Sequence, residues 1–325
     1  MEKDYLTAKK DFSRIGSALL VIAVLSIVMQ FLLAFLSAVI LKDDILSVEN
    51  SWFIWVATFV PIYAAFPIGI LVMKNVSKED FVCTKLGLKN FFVLMLICFP
   101  IMYGGNIIGT VLSGLLSGGN AENGLNTFAF DNNPLKILVM VVLAPILEEF
   151  LFRKQIIDRC ARYGEKMAIL FSALMFGLFH MNLFQFFYAF GLGLVFAYTY
   201  TRTRKLRYSV VMHMVINFMG SVIAPALVSS LDMEAIEQMS TGVIDEATML
   251  SMLPQLICFM LYTFALLGLS IAGLVLLIKK VRQLVFLPKE EEIEKGKRFK
   301  TVYCNVGVLS FCLLCIAMCV LSIFI

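Results

Sequence analysis

The chain reads as an all-α protein, a polytopic transmembrane helical bundle of about nine spans, on three observations. Of its 325 residues, 60% are hydrophobic and only 15% are charged. Soluble domains run near 45–50% apolar and about 25% charged. Apolar stretches recur at close to the ~20 residues that a helix needs to cross a bilayer. The connections between them alternate between basic and base-free, as loops on the two sides of a membrane do. The net charge of +4 is small. No phosphate loop and no basic, aromatic-interleaved stretch points to nucleic acid.

The expected spans are 15–41, 52–73, 91–115, 135–158, 167–183, 184–201, 208–228, 255–278 and 303–325. The first follows Lys9, Lys10 and Arg14, as a signal peptide would. At about 27 residues it exceeds the ~7–15 of a signal core, so it is expected to be retained. The fifth and sixth are short and adjoin, which suggests a tight helical hairpin. Pro61, Pro67 and Pro100 fall inside spans, where neighbouring helices tolerate a kink. Gly105 with Gly109, and Gly193 with Ala197, offer the small-residue spacing that lets helices pack closely in lipid.

The basic connections hold Lys74, Lys78, Lys85 and Lys89, then Arg159, Arg162 and Lys166, then Arg202, Arg204, Lys205 and Arg207, and finally a run from Lys279 to Lys300. The loop 117–134 has no Lys or Arg, and 229–254 has none and is acidic. The alternation predicts a multi-pass cell-membrane protein with the N-terminus cytoplasmic and the C-terminus outside. The stretch Lys289–Lys300 is expected to be a solvated cytoplasmic linker. The organisation that follows is N-terminal spans over 1–90, a core over 91–278, and a linker with a last span over 279–325. Cys312, Cys315 and Cys319 share a helical face, but the eight cysteines read as small buried hydrophobes without a redox role.

Chemistry concentrates in three motifs. The first is Glu148-Glu149-Phe150-Leu151-Phe152-Arg153. Adjacent helical residues point about 100° apart, so the two glutamates leave different faces. Glu149 and Arg153, four apart, share one and are expected to pair. Glu148 then has no local partner and is free to act as a general base. A helix end with interfacial charges is the competing explanation. The second motif is Phe176-Gly177-Leu178-Phe179-His180, where a lone histidine on an apolar face is more often structural than catalytic. The third is His213 with Asn217, one turn apart and able to grip one water or one metal, or else to bond helix to helix. His180 and His213 are the only histidines in the chain. Ionisable groups within membrane-like segments are costly and tend to be functional. Rise per residue puts all three motifs within one or two helical turns in depth if Arg153 lies inside the protein.

Taken together, EExxxR, FxxxH and HxxxN in this order resemble the type II CAAX-prenyl endopeptidase family, which includes bacterial bacteriocin-processing and lysostaphin-resistance-like membrane proteases. The resemblance is specific over Glu148–Asn217. It implies a site made of Glu148, His180, His213 and Asn217, with Glu149 and Arg153 in support. The expected activity is an intramembrane endopeptidase acting on membrane-embedded or membrane-associated peptides. Glu148 would activate a water, and both histidines with Asn217 would orient it and stabilise the oxyanion. The cofactor stays open between zinc and none. A zinc site would draw on Glu148, His180 and His213, but HExxH is absent, which leans toward a metal-free glutamate mechanism. The competing functions are a non-catalytic bacteriocin-immunity or scaffold protein of the same fold and a transporter. A transporter predicts paired discontinuous helices in two halves, which the sequence lacks.

Overall fold

A computed structural model describes residues 2–41, 51–79, 82–241 and 245–324. Ile325, on which the expected outward C-terminus falls, lies outside the described residues. Among them every regular element is a helix. The long helices are α1 (Glu2–Leu41), α2 (Ser51–Val72) and α3 (Leu88–Ser117), followed by a short α4 (Asn126–Ala129). An interrupted helix α5 (137–160) leads to α6 (Glu165–Phe179), α7 (Leu183–Thr203) and α8 (206–229). A short α9 (Met233–Thr241), the long α10 (Glu246–Val281), α11 (Arg298–Val302) and α12 (Val306–Phe324) complete the chain.

Seven of these are long and apolar enough to cross a membrane: α1, α2, α3, α7, α8, α10 and α12. The chain is a multi-pass membrane protein. The other two expected spans, 135–158 and 167–183, fall on α5 and α6. These carry the Glu-Glu-Arg motif and His180, and α6, at 15 residues, is shorter than a typical span. The last turns of α10 carry Ile271, Leu274, Val275 and Ile278 exposed, the apolar surface that lipid would cover.

α1 packs between α2 and α12, and α3 between α7 and α10. α5, α6, α7 and α8 form the centre. The main core joins Phe12, Phe152, Phe171, Phe176, Tyr200 and Phe311, and a second cluster joins Cys98, Leu192, Phe196, Met212 and Ile216. Gly105 and Gly109 let α3 lie on the start of α7: a Cβ on Gly105 would meet the Tyr188 backbone nitrogen at 2.5 Å, and one on Gly109 the Phe184 carbonyl at 2.6 Å. Pro61, Pro67 and Pro100 sit inside helices that run on past them.

The basic connections meet at one end of the bundle. Arg159 donates to the Met73 carbonyl at 3.1 Å, Glu79 N to the Asp158 carbonyl at 2.8 Å, and Thr84 N to the Thr203 carbonyl at 3.0 Å. Arg204 lies 3.4 Å from Asp158, and burial pulls its guanidinium down to about 10. Tyr163 OH donates to Asp11 at 2.7 Å. The charged linker is solvent-exposed along most of its length, as its composition predicts, but it is also tethered. Its Leu287 N donates to Glu165 Oε2 at 2.7 Å, Lys289 pairs with Glu79 at 2.6 Å, and Ile293 is buried with its N–H on the Tyr163 carbonyl. An apolar side chain, an ion pair and two backbone hydrogen bonds to neighbouring connections tie it down, which a count of its charges does not reveal.

Candidate active site

α5 is built around its proline. Residues Ile137–Leu143 form π-helical turns, Ala144–Glu149 an α-helical turn with Pro145 at its start, and Phe150–Ile157 a second π stretch. Proline has no N–H to donate and crowds the carbonyl four residues back. Widened turns accommodate this, and such turns recur at functional sites. The same order returns in α8, where π-helical Met219–Ile223 precedes Ala224-Pro225. Glu148 and Glu149 close the α-helical turn between the two π stretches of α5.

The glutamates leave the helix in different directions, as adjacency requires. Glu149 is fully buried and receives Arg153 through two bonds, Nε to Oε2 at 3.0 Å and Nη2 to Oε1 at 3.1 Å. Such a two-pronged contact is the strong form of an arginine–carboxylate pair. Arg153 is also fully buried. Its Nη1 donates to Ser172 Oγ at 2.9 Å, and that hydroxyl donates to the Phe152 carbonyl at 2.8 Å. The guanidinium carbon stands 4.7 Å from the centre of the Phe176 ring. A buried charge needs this degree of pairing to be tolerated.

His213 lies between the two carboxylates. Its Nε2 is 3.8 Å from Glu148 Oε2 and its Nδ1 is 3.4 Å from Glu149 Oε1, the latter without hydrogen-bond alignment. Phe196 stacks on its ring at 5.2 Å, and Phe176 meets it edge-on at 5.7 Å. Phe176 also meets His180 edge-on at 4.9 Å. One aromatic side chain therefore touches Arg153, His180 and His213.

His180 caps the C-terminus of α6, with Nδ1 2.9 Å from the Phe176 carbonyl. A carbonyl only accepts, so Nδ1 carries the proton and Nε2 holds the lone pair. The next residue, Met181, has φ +49°. That left-handed conformation is costly for a residue with a side chain. It turns the chain sharply, so that Asn182 caps α7 by accepting from Phe184 N at 2.9 Å. Asn217 Nδ2 donates to the Met140 carbonyl, in the first π stretch of α5, at 2.8 Å. The helix-to-helix bond weighed as an alternative for Asn217 is thus made. It leaves one amide hydrogen and the carbonyl oxygen.

Glu148, His180, His213 and Asn217 all line one cavity of about 580 Å³. Aromatic rings from α2 and α3, including Tyr63 and Tyr103, and the segment 123–130 complete its wall. Trp55 Nε1 donates to Asp131 Oδ2 at 2.7 Å, and Phe128 packs edge-on against Trp55 at 4.9 Å, which holds that segment in place. Phe176 opens the FxxxH motif, but Ser172 and Phe196 carry no motif. Ser172 lies one turn before Phe176 on the helix that ends in His180, and that spacing was the one available signal.

Among the described residues, no three His, Cys, Asp or Glu side chains stand together in a way that could hold a metal ion. Glu148, His180 and His213 form no such group, although the bond from His180 Nδ1 to the Phe176 carbonyl leaves Nε2 free.

Comparison with known proteins finds no match among curated proteins and none among solved structures. One family model matches, described as type II CAAX prenyl endopeptidase Rce1-like, over residues 130–219. That stretch runs from the end of α4 to the first π-helical residue of α8 and holds all three motifs. The stretch that carries Glu148, His180, His213 and Asn217 is therefore similar to the Rce1-like type II CAAX prenyl endopeptidase family.

Proposed function

We propose that the chain is an intramembrane endopeptidase that hydrolyses peptide bonds of membrane-embedded or membrane-associated substrates with a water activated by Glu148. The observation that carries this reading is the convergence of Glu148, His180, His213 and Asn217 on one cavity walled largely by apolar and aromatic side chains. In that setting the water sits between Glu148 and His180. Glu148 takes its proton, and His180 Nε2 accepts from the other hydrogen and orients the lone pair. The hydroxide adds to the substrate carbonyl. His213 and the remaining amide hydrogen of Asn217 face the oxyanion. Donors fixed in a site with little water act more strongly than in bulk solvent. Glu148 then returns the proton to the leaving amine as the C–N bond breaks.

Glu149 and Arg153 do not touch substrate in this scheme. Glu149 places its carboxylate 3.4 Å from the far nitrogen of His213, whose ring Phe196 and Phe176 hold, and Arg153 keeps that carboxylate charged. The basic end of the bundle is assigned to the cytoplasm, which puts the loop 117–134 outside.

Glu148→Gln is nearly isosteric. It is expected to lower turnover by about 10²–10⁴-fold, the usual contribution of a general base, with thermal stability in detergent close to wild type. Peptide cleavage by the purified protein checks this: full activity in Glu148→Gln would sink Glu148 as the base, and no cleavage by wild type would return the chain to the immunity or scaffold reading. Bound metal is measured on the same preparation by elemental analysis. A stoichiometric zinc whose removal abolishes cleavage would replace the metal-free scheme.

A further inference from the structure

The cavity wall contains six carboxamides, Asn106, Asn123, Asn126, Asn182, Gln185 and Asn217. Among the described residues it contains no Lys or Arg, and Glu148 is its only carboxylate. The nearby cations are committed elsewhere: Arg153 to Glu149 and Ser172, and Lys136 to the Ala129 carbonyl at 3.0 Å. α7 begins at the cavity, but the amides of its second to fourth residues are taken. Phe184 N bonds the Asn182 side chain, and Gln185 N and Phe186 N bond the Asn182 carbonyl.

These features bear on which part of a polypeptide fits. A free α-carboxylate accepts but cannot donate, and its burial without a cation or a row of open amides is costly. Here it would also meet the charge of Glu148. A peptide unit offers one donor and one acceptor, and a carboxamide offers the same pair in return. Several of these groups retain unused capacity: Gln185 Nε2 donates to Tyr188 OH at 3.0 Å and leaves its carbonyl, and Asn217 leaves its carbonyl and one hydrogen. Asn182 Nδ2 donates to Asn123 Oδ1 at 3.1 Å, so two of the carboxamides brace each other. Aromatic faces between them suit apolar side chains.

Building on the endopeptidase reading, we propose that the cavity selects an uncharged, apolar, extended segment from the interior of a chain, bound through its peptide units, and discriminates against a free C-terminal carboxylate. The sites of hydrolysis are then set back from the substrate's C-terminus.

The test uses a pool of acetylated apolar decapeptides, each made as the free acid and as the carboxamide, with the protein in nanodiscs. Binding is measured on Glu148→Gln and cleavage positions on wild type by mass spectrometry. The expected result is binding of the carboxamides at least tenfold tighter than that of the acids, with cuts at internal bonds. Asn106→Lys, which adds a cation to the wall at a residue outside the catalytic set, is expected to move the ratio at least tenfold toward the acids. If the acids bind to Glu148→Gln as tightly as the carboxamides or more tightly, or are the only peptides cut, the proposal is overturned and the endopeptidase reading stands. If the carboxamides bind as expected and wild type cuts neither, the endopeptidase reading falls and the selectivity stands. If no peptide of either kind binds, the proposal is overturned.

Discussion

At the scale of single residues, the site depends on keeping one buried cation satisfied. Arg153 uses Nε and Nη2 on Glu149 and Nη1 on Ser172, with Phe176 stacked beside it. Removing one member of a buried charge pair strands the other at a cost of about 3–5 kcal/mol. Glu149→Gln is therefore expected to lower stability by that amount and to reduce turnover, because His213 loses the carboxylate beside Nδ1. Ser172→Ala leaves Arg153 one unsatisfied N–H, at about 1–3 kcal/mol, and keeps the Glu149–His213 geometry. Chemical or thermal unfolding in detergent, set beside turnover, separates the two variants: loss of stability in both, with turnover falling markedly only in Glu149→Gln. The Glu149–Arg153 pair was readable from its four-residue spacing. Ser172 was not, because its partner is 19 residues away and only tertiary packing joins them. A helix-to-helix bond from Asn217 could be foreseen but its partner Met140 could not, since a backbone carbonyl has no side-chain signature.

At the scale of elements, composition and loop charge located the helices well, because hydrophobic length is a strong signal in a membrane protein. What they could not show was internal helix geometry. α5 looks like an ordinary span, yet two π stretches flank the turn that carries the glutamates. Pro145 was the local clue, as Pro225 was in α8. The small-residue pairs were common enough to be weak evidence alone, but Gly105 and Gly109 bring α3 onto α7 where Tyr188 and Gln185 line the cavity. A larger side chain at Gly105 must push the α7 backbone away. Gly105→Leu is expected to cost about 1–3 kcal/mol by overpacking and to reduce peptide binding to the cavity. Gly104→Leu, next to it but with open space around its Cβ position, is the control. Equal stability and equal binding in the two variants would show that the α3–α7 approach does not shape the site.

At the scale of the whole molecule, the basic connections close into one layer. Residue Asp11 at the start of α1, the turn after α2, the end of α5, the end of α7 and the linker after α10 exchange hydrogen bonds or ion pairs there. At the other end Asn182 reaches Asn123, which joins the α6–α7 turn to the base-free loop 117–134. Two ends of opposite character are what an odd or even error in the number of crossings would destroy, because every connection beyond the error would change sides. With seven helices meeting the length of a span and α5 and α6 running between the same two layers, the arrangement predicts that the loop after α3 and the linker after α10 face opposite sides of the membrane. An epitope inserted after Gly119 and another after Glu290, in separate proteins, are probed in intact and permeabilised cells. The Gly119 epitope is expected to react in intact cells and the Glu290 epitope only after permeabilisation, as the excess of Lys and Arg on the linker side requires. Reaction of both epitopes in intact cells, or of neither, would mean that the two layers do not lie on opposite faces of the bilayer. The cavity, which is bounded toward one layer by the segment 123–130 and backed by α5, would then have to be reached from a different side.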